Sequence, residues 1–126
     1  MGTVTIDVVT QSADRSTWRL VLVEQGPWSA DEVEVNLRRL QDRLYGCLDA
    51  ALDGRIAERF PESAGHRLVV RLDAYNVPEQ AVREFFERFS GQVLQVADYK
   101  TSLASTSFVS GIDFELNVEQ LPRVCS

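Results

Sequence analysis

Acidic residues within and at the ends of strand-like segments are the side chains best placed to do chemistry. Asp7 lies in the first segment of alternating polar and apolar residues, and Glu24 and Asp73 end the second and third. Asp113 and Glu115 belong to the last such segment. Carboxylates that meet at strand ends can bind a divalent cation or form an acid–base pair. The alternation itself also predicts polar residues at these positions, so the structural interpretation is favoured over a metal site.

The other reactive residue types have no partner at a useful spacing. His66, the single histidine, lies in a predicted turn between Gly65 and Arg67, and neither neighbour is a nucleophile or a metal ligand. No serine has the Gly-x-Ser-x-Gly surroundings of a hydrolase nucleophile. No Gly-x-Gly-x-x-Gly, phosphate-binding-loop or Cys-x-x-Cys motif occurs. We therefore predict no catalytic residue, no cofactor and no metal.

Composition is typical of a soluble, acidic, single-domain protein. The 126 residues are 44% hydrophobic and carry a net charge of −6, which allows one core and disfavours nucleic acid as a partner. Arg39 and Arg43 alternate with acidic residues and fit a solvated helix face. No apolar run approaches the roughly 20 residues that span a bilayer, and the first residues lack the basic start of a signal peptide. We expect a cytoplasmic protein, with no membrane partner and with Cys47 and Cys125 unpaired.

Four segments have the period of two residues that is typical of half-buried strands. They cover residues 3–9, 17–24, 67–73 and 111–118. A short polar turn joins the first two segments, which predicts an antiparallel hairpin.

Two segments have helical periodicity. The first begins at Ser29, which is placed to form a capping box with Glu32, and its apolar stripe predicts one helix of about 30 residues that reaches Pro61. Loss of the cap in Ser29→Ala is expected to cost about 1 kcal/mol. The second helix follows Pro78 and ends at Gly91.

We interpret residues 1–126 as one domain. Three segments of this domain have weaker signals of secondary structure. Residues 93–99 fit either a short edge strand or an ordered loop. Residues 100–106 predict a flexible loop because they are rich in serine and threonine, and residues 120–126 predict a frayed tail.

The element order is ββαβαβ, which predicts an α+β fold. In this two-layer sandwich, two helices cover one face of a four-stranded sheet. The other face would expose Val9, Val21 and Val23, and their burial across a two-fold axis favours a homodimer. In the competing arrangement, residues 93–110 fold over that face and the protein stays a monomer.

Several short motifs together resemble a family of bacterial domains of unknown function. The motifs are an IDxV strand, an LVxVE strand with a following PW turn, an LDG sequence, a Tyr/Phe-Pro-Glu turn and an RLD strand. In this chain they are residues 6–9, 21–24 with 27–28, 52–54, 60–62 and 71–73, so the resemblance covers roughly residues 4–75. The resemblance implies a bacterial, cytoplasmic domain and assigns no activity. It makes Asp7, Glu24 and Trp28 the positions to test first.

Three hypotheses for function remain open. The first, which we favour, is a non-enzymatic binding or interaction domain that self-associates or binds another protein. The second is a small metal-binding protein or enzyme that uses Asp7, Glu24 and Asp73. The third is an immunity-type inhibitor whose acidic surface neutralises a basic toxin.

Overall fold

The secondary structure follows the predicted order of a hairpin and two helix–strand units. The computed structural model describes residues 6–121, with strands β1 (Val8–Gln11), β2 (Thr17–Gln25), β3 (His66–Tyr75) and β4 (Val109–Glu119). The helices are α1 (Val33–Leu52), α2 (Arg55–Arg59), α3 (Glu79–Gln92) and α4 (Ala97–Ser105). The predicted α+β fold is confirmed. The predicted strand start at residues 3–5, Cys125 and residues 122–126 of the predicted tail lie outside the described residues.

The four strands form one mixed sheet in the order β1-β2-β3-β4. β1 and β2 are antiparallel, as predicted for a hairpin, whereas β2, β3 and β4 are parallel because helical segments connect them. Two right-handed crossovers that step in the same direction place their helices on the same face. α1 and α3 therefore cover one face of the sheet, and the other face is open.

The core lies between the helices and the covered face. Every second residue of the parallel strands contributes to it, and α1 and α3 add residues at helical spacing. Its largest members include Leu20, Leu22, Leu68, Val70 and Leu72 from the strands, and Leu40, Leu44, Leu48, Val82 and Phe86 from the helices. Glu24 occupies the next core-facing position of β2 and is only 4% exposed. Among residues 6–121, no helix combines the length and the apolar character needed to cross a membrane.

The single helix predicted to reach Pro61 is broken at Gly54, so that prediction is wrong. α1 ends at Leu52, and Gly54 has a φ of +93°, in the left-handed region that favours glycine. A side chain there would also collide with Phe108, since an added Cβ would lie 2.7 Å from its ring. α2 restarts after the break and lines a cavity together with residues of β1.

The predicted capping box at Ser29 does not form. A 3-10 turn, Ala30–Glu32, precedes α1, and the Ser29 hydroxyl donates to the Glu32 carboxylate instead of accepting from a backbone N–H. The N–H of Glu32 already donates to the carbonyl of Ser29. The tighter turn therefore leaves no N–H at this position for the serine side chain to cap.

Residues 97–105 form α4, where the sequence predicts a loop or edge strand followed by a flexible loop. Tyr99 holds this helix, because it stacks on Tyr45 of α1 and donates a hydrogen bond of 2.8 Å to Asp49. Leu94 and Leu103 pack against the core. The segment therefore lies on the helix side, and the expectation that residues 93–110 cover the open face is wrong.

Candidate functional site

Arg43 of α1 brings together Asp7 and Glu24, two of the predicted site residues. It donates to Glu24 (Nη1–Oε1, 2.9 Å), to Asp7 (Nη2–Oδ2, 2.8 Å) and to the carbonyl of Val23 (3.0 Å). Arg39, one helical turn earlier, makes a bidentate pair with Glu24 at 2.8 and 2.9 Å. We call Asp7, Glu24, Arg39 and Arg43 the inner cluster. It ties α1 to the end of β2 and to the residue that precedes β1.

The local sequence explains the inner cluster. Glu24 continues the core-facing alternation of β2, and a buried carboxylate is stable only where cations neutralise it and donors bind its oxygens. Arg39 and Arg43 are four residues apart, so they project from the same face of α1. The interpretation of these arginines as a solvated helix face is wrong for Arg43, whose side chain is 16% exposed, whereas that of Arg39 is 48% exposed. A glutamate at a core-facing position was the signal that a cation must lie on the next helix.

Asp7 lies at the open end of the β1–β2 hairpin, next to the backbone pair of Val8 with Val21. Its Oδ2 accepts from the N–H of Val23 at 2.7 Å, beyond the last backbone pair of the hairpin, as well as from Arg43. Burial raises the pKa of Asp7, but the hydrogen bonds from Val23 and Arg43 outweigh this effect, and the pKa lies below its ordinary value. Asp7 is therefore a charged acceptor that the fold itself uses.

Asp73 does not join the inner cluster. It pairs with Val23 across β2 and β3, so its side chain points to the face opposite Glu24. Its carboxylate accepts from Arg71 at 2.9 Å. The hypothesis that Asp7, Glu24 and Asp73 converge is therefore wrong. In the part of the chain that the structure describes, no group of three or more histidine, cysteine or acidic side chains is placed to hold a metal ion.

The open face of the sheet carries six charged side chains in ion pairs. Arg19 binds both carboxylate oxygens of Glu115, at 2.9 and 3.2 Å. Arg71 links Glu115, at 3.4 Å, to Asp73. Arg67 of β3 and Asp113 of β4 form a further, bidentate pair. We call the six side chains together the outer array. Its members are Arg19, Arg67, Arg71, Asp73, Asp113 and Glu115. Three arginines balance three carboxylates, so the array has no net charge in a chain of net charge −6.

The ion pairs lower the pKa of two carboxylates of the outer array. The hydrogen bond from Arg19 is the main reason that the pKa of Glu115 is lowered, and partial burial opposes it. The hydrogen bond from Arg67 lowers the pKa of Asp113 in the same way. At neutral pH the open face therefore presents a fixed pattern of opposite charges.

The valines predicted at a dimer interface do not share one face. Val9 pairs with Leu20 and packs against the core on the helix side, so its predicted exposure on the open face is wrong. The regular pairing of β1 with β2 starts only at Val8, because the Asp7 side chain accepts the hydrogen bond from Val23. The alternation along β1 therefore differs from the predicted one, and different residues point inward. Val21 lies on the open face but is only 7% exposed, and Val23 is half-buried. Val8, at 48% exposed, is the accessible valine there.

The remaining candidate residues have structural surroundings. Trp28 is half-buried and packs against the core, and it takes no part in the hydrogen bonds of the inner cluster given above. His66 is the first residue of β3 and pairs with Val109. Cys47 is a free, buried thiol of α1, and burial raises its pKa to about 12, which makes the thiol unreactive.

Two of the cavities that border α2 are also lined by residues of α1. The larger, about 590 Å³, lies between α1 and α4 and is mainly acidic, with Asp49, Asp53 and Asp98 in its lining. The smaller, about 310 Å³, lies between α2 and β1, and we call it the α2 cavity. Its lining residues are Ile6, Asp7, Val9, Ala50, Arg55, Ile56, Arg59 and Phe60. Sequence reasoning did not find it, because it depends on the break at Gly54.

Comparison with known proteins gives a family but no activity. The chain matches the model of a family of unknown function, DUF6572, over residues 2–107. No curated protein and no solved structure matches it. The predicted resemblance to a family of unknown function is confirmed, and the match extends past residues 4–75 to include α3 and α4. It contains the whole inner cluster and ends before β4, which supplies two carboxylates of the outer array.

Proposed function

The chain belongs to DUF6572, a family of unknown function, and we propose that it is a non-enzymatic interaction domain that forms a homodimer through the open face of its sheet. The observation that carries this proposal is the charge balance of the outer array. Two copies with a net charge of −6 repel each other over most of their surfaces. The balanced charges of the outer array make this the part of the surface where that repulsion is weakest.

The outer array is also suited to contact a second copy of itself. In a two-fold interface the same patch is used by both copies, so the patch must be self-complementary. A pattern of arginines and carboxylates meets this condition, since each arginine of one copy can approach a carboxylate of the other. A strongly basic partner, which the immunity-type hypothesis requires, would meet three arginines on this face as well as its carboxylates.

The polar contacts of the inner cluster favour a non-enzymatic role. Asp7 and Glu24 accept hydrogen bonds from arginines and, for Asp7, from a backbone N–H. A general base or a metal ligand needs an oxygen that is available to the substrate or the ion. We also propose that the protein is bacterial and cytoplasmic, which rests on the family resemblance.

Light scattering at micromolar concentration tests the homodimer with a matched pair of variants. Val8 lies on the open face and Val96 lies outside it, and the two are 48% and 49% exposed, so the variants are matched in exposure. We expect wild type and Val96→Asp to have twice the chain mass of 14.2 kDa, and Val8→Asp to have the mass of one chain. Val21→Asp is unsuitable, because that side chain is buried.

Two results would contradict the proposal. One is a single-chain mass for the wild type at every concentration up to the millimolar range. The other is a dimer that Val8→Asp leaves intact or that Val96→Asp disrupts equally, because the contact would then lie elsewhere on the molecule.

A further inference from the structure

The α2 cavity combines apolar walls with cationic side chains. Its walls are mainly aliphatic and aromatic, from Val9, Ala50, Ile56 and Phe60, and Arg55 and Arg59 of α2 line it as well. Its volume of about 310 Å³ lies at the lower end of the range for ligand pockets, roughly 300–1,000 Å³. A ligand that fits it has a single ring or a short chain.

Arg59 is the charged residue of this cavity without an ionic partner. Asp7 is paired with Arg43, and Arg55 with Asp53 at 2.8 Å. Among residues 6–121, Arg59 makes no hydrogen bond or ion pair, and its guanidinium carbon lies 6.0 Å from the ring centre of Phe60. The cavity therefore presents one uncompensated positive charge beside an aromatic surface.

A second observation concerns an adjoining cavity that shares two residues with the α2 cavity. Phe60 and Arg59 also line an adjoining cavity of about 290 Å³ with Trp18, and the rings of Trp18 and Phe60 are 6.0 Å apart. The Nε1–H of Trp18 is the one buried side-chain polar group in the described part of the chain that has no hydrogen-bond partner. An unpaired buried donor costs about 1–3 kcal/mol. Phe60 thus lies beside both the unpaired guanidinium of Arg59 and a tryptophan whose N–H has no acceptor.

We propose that the α2 cavity binds a small carboxylate with an apolar body. The carboxylate pairs with the guanidinium of Arg59, which has the geometry to donate to both oxygens. The apolar body lies against Ile56 and Phe60 and is removed from water. A cationic ligand is repelled by Arg59, and a simple inorganic anion gains nothing from the apolar walls. The site lies on the helix side of the sheet, so it is independent of the proposed homodimer.

Titration with matched probes tests this site. The probes are 3-phenylpropionate, its cationic counterpart 3-phenylpropylamine, and sulfate. The chain has two tryptophans, so the Trp28→Phe variant leaves Trp18, which contacts Phe60, as the only fluorescent tryptophan. We expect a saturable change in Trp18 fluorescence with 3-phenylpropionate, and none with the amine or with sulfate.

Arginine variants in the same background locate the charge that the ligand needs. Arg59→Gln should weaken the binding of 3-phenylpropionate about tenfold, which corresponds to roughly 1.4 kcal/mol. Arg88→Gln, which changes an exposed arginine of α3, should leave the affinity unchanged. Arg59→Lys keeps the charge but loses the bidentate geometry, so its affinity should lie between those of the wild type and Arg59→Gln. Thermal melts of the two Arg59 variants should coincide. The difference in affinity between these variants then reports a lost contact and not a folding defect.

Three results would overturn the proposal. They are equal binding of the amine and the carboxylate, an affinity that Arg59→Gln does not change, and the absence of saturable binding at millimolar 3-phenylpropionate.

Discussion

Two arginine–carboxylate networks lie on opposite faces of the same sheet and differ mainly in burial. In the inner cluster, Glu24 is 4% exposed and accepts three hydrogen bonds from two arginines of α1. In the outer array, Glu115 has a side-chain exposure of 35% and likewise contacts two arginines. The number and type of partners are alike. The comparison therefore isolates the effect of solvent on the same kind of ion pair.

Burial decides what happens when one partner is lost. Water can solvate Arg19 and Arg71 if Glu115 is removed, because all three side chains are about one-third exposed. Arg43 is only 16% exposed, so the loss of Glu24 leaves much of a guanidinium without solvent or a full set of acceptors. We infer that the inner cluster holds the fold together, whereas the outer array shapes a surface.

The largest effect is expected for Glu24→Ala. Removal of one partner of a buried ion pair costs about 3–5 kcal/mol, and we expect about 3 kcal/mol because Arg43 keeps its bonds to Asp7 and to the carbonyl of Val23. Urea denaturation measures the free energy of unfolding. A loss below about 1 kcal/mol would show that burial does not distinguish the two networks.

A smaller effect is expected when both members of a buried pair are replaced. Glu24→Leu combined with Arg43→Leu removes a carboxylate and a largely buried guanidinium together. Water can solvate the partners left behind, because the side chains of Arg39 and Asp7 are 48% and 38% exposed. Apolar replacement of a buried ion pair is often close to neutral, so we expect a loss of about 1 kcal/mol. If this double variant were as unstable as Glu24→Ala, the cost would come from the lost glutamate and not from an unpaired charge.

The outer array should respond less again. Glu115→Ala is expected to lower the free energy of unfolding by about 0.5 kcal/mol, since exposed ion pairs contribute between about 0 and 1 kcal/mol. High salt should shrink this difference by screening the pairs and should leave the effect of Glu24→Ala nearly unchanged. The urea melt is run in parallel on Asp113→Ala as a control from the same face, where the carboxylate side chain is 50% exposed against 35% for Glu115. A salt-independent loss of several kcal/mol in either variant would contradict the assignment of these pairs to the surface.

Strands β2, β3 and β4 were predictable because each reports its environment locally, whereas β1 runs to Gln11, past the predicted end at residue 9. Alternation alone places Leu20, Leu22 and Glu24 on one face of β2, and the predicted bounds of β2, β3 and β4 differ from the observed ones by no more than two residues. Two other elements depend on contacts that no local pattern contains. α1 ends where Gly54 approaches Phe108, and α4 is held by the contacts of Tyr99 with Tyr45 and Asp49.

The candidate site was predictable only in part. The sequence grouped Asp7 with Glu24, and both contact Arg43, but Arg43 lies on a helix whose rotation against the sheet is fixed by packing in three dimensions. Asp73 was grouped with them because strand ends converge at one edge, although the alternation of its own strand sends its side chain to the other face. The alternation of side chains along each strand was therefore a better guide to which carboxylates meet than the position of the strand ends.

The smallest effect concerns pH and the outer array. The ordinary pKa of Glu115 is 4.5, and its pairs with Arg19 and Arg71 lower that value in the folded protein. The unfolded chain therefore binds the proton more readily, and the stabilisation is complete above pH 4.5 and is lost as the pH falls through the lowered pKa. Glu115→Gln should thus be less stable than the wild type by at most about 0.5 kcal/mol at pH 7, and the difference should vanish in acid. Urea melts of both proteins across this range provide the measurement. A difference that persists in acid would mean that Glu115 acts through packing and not through its charge.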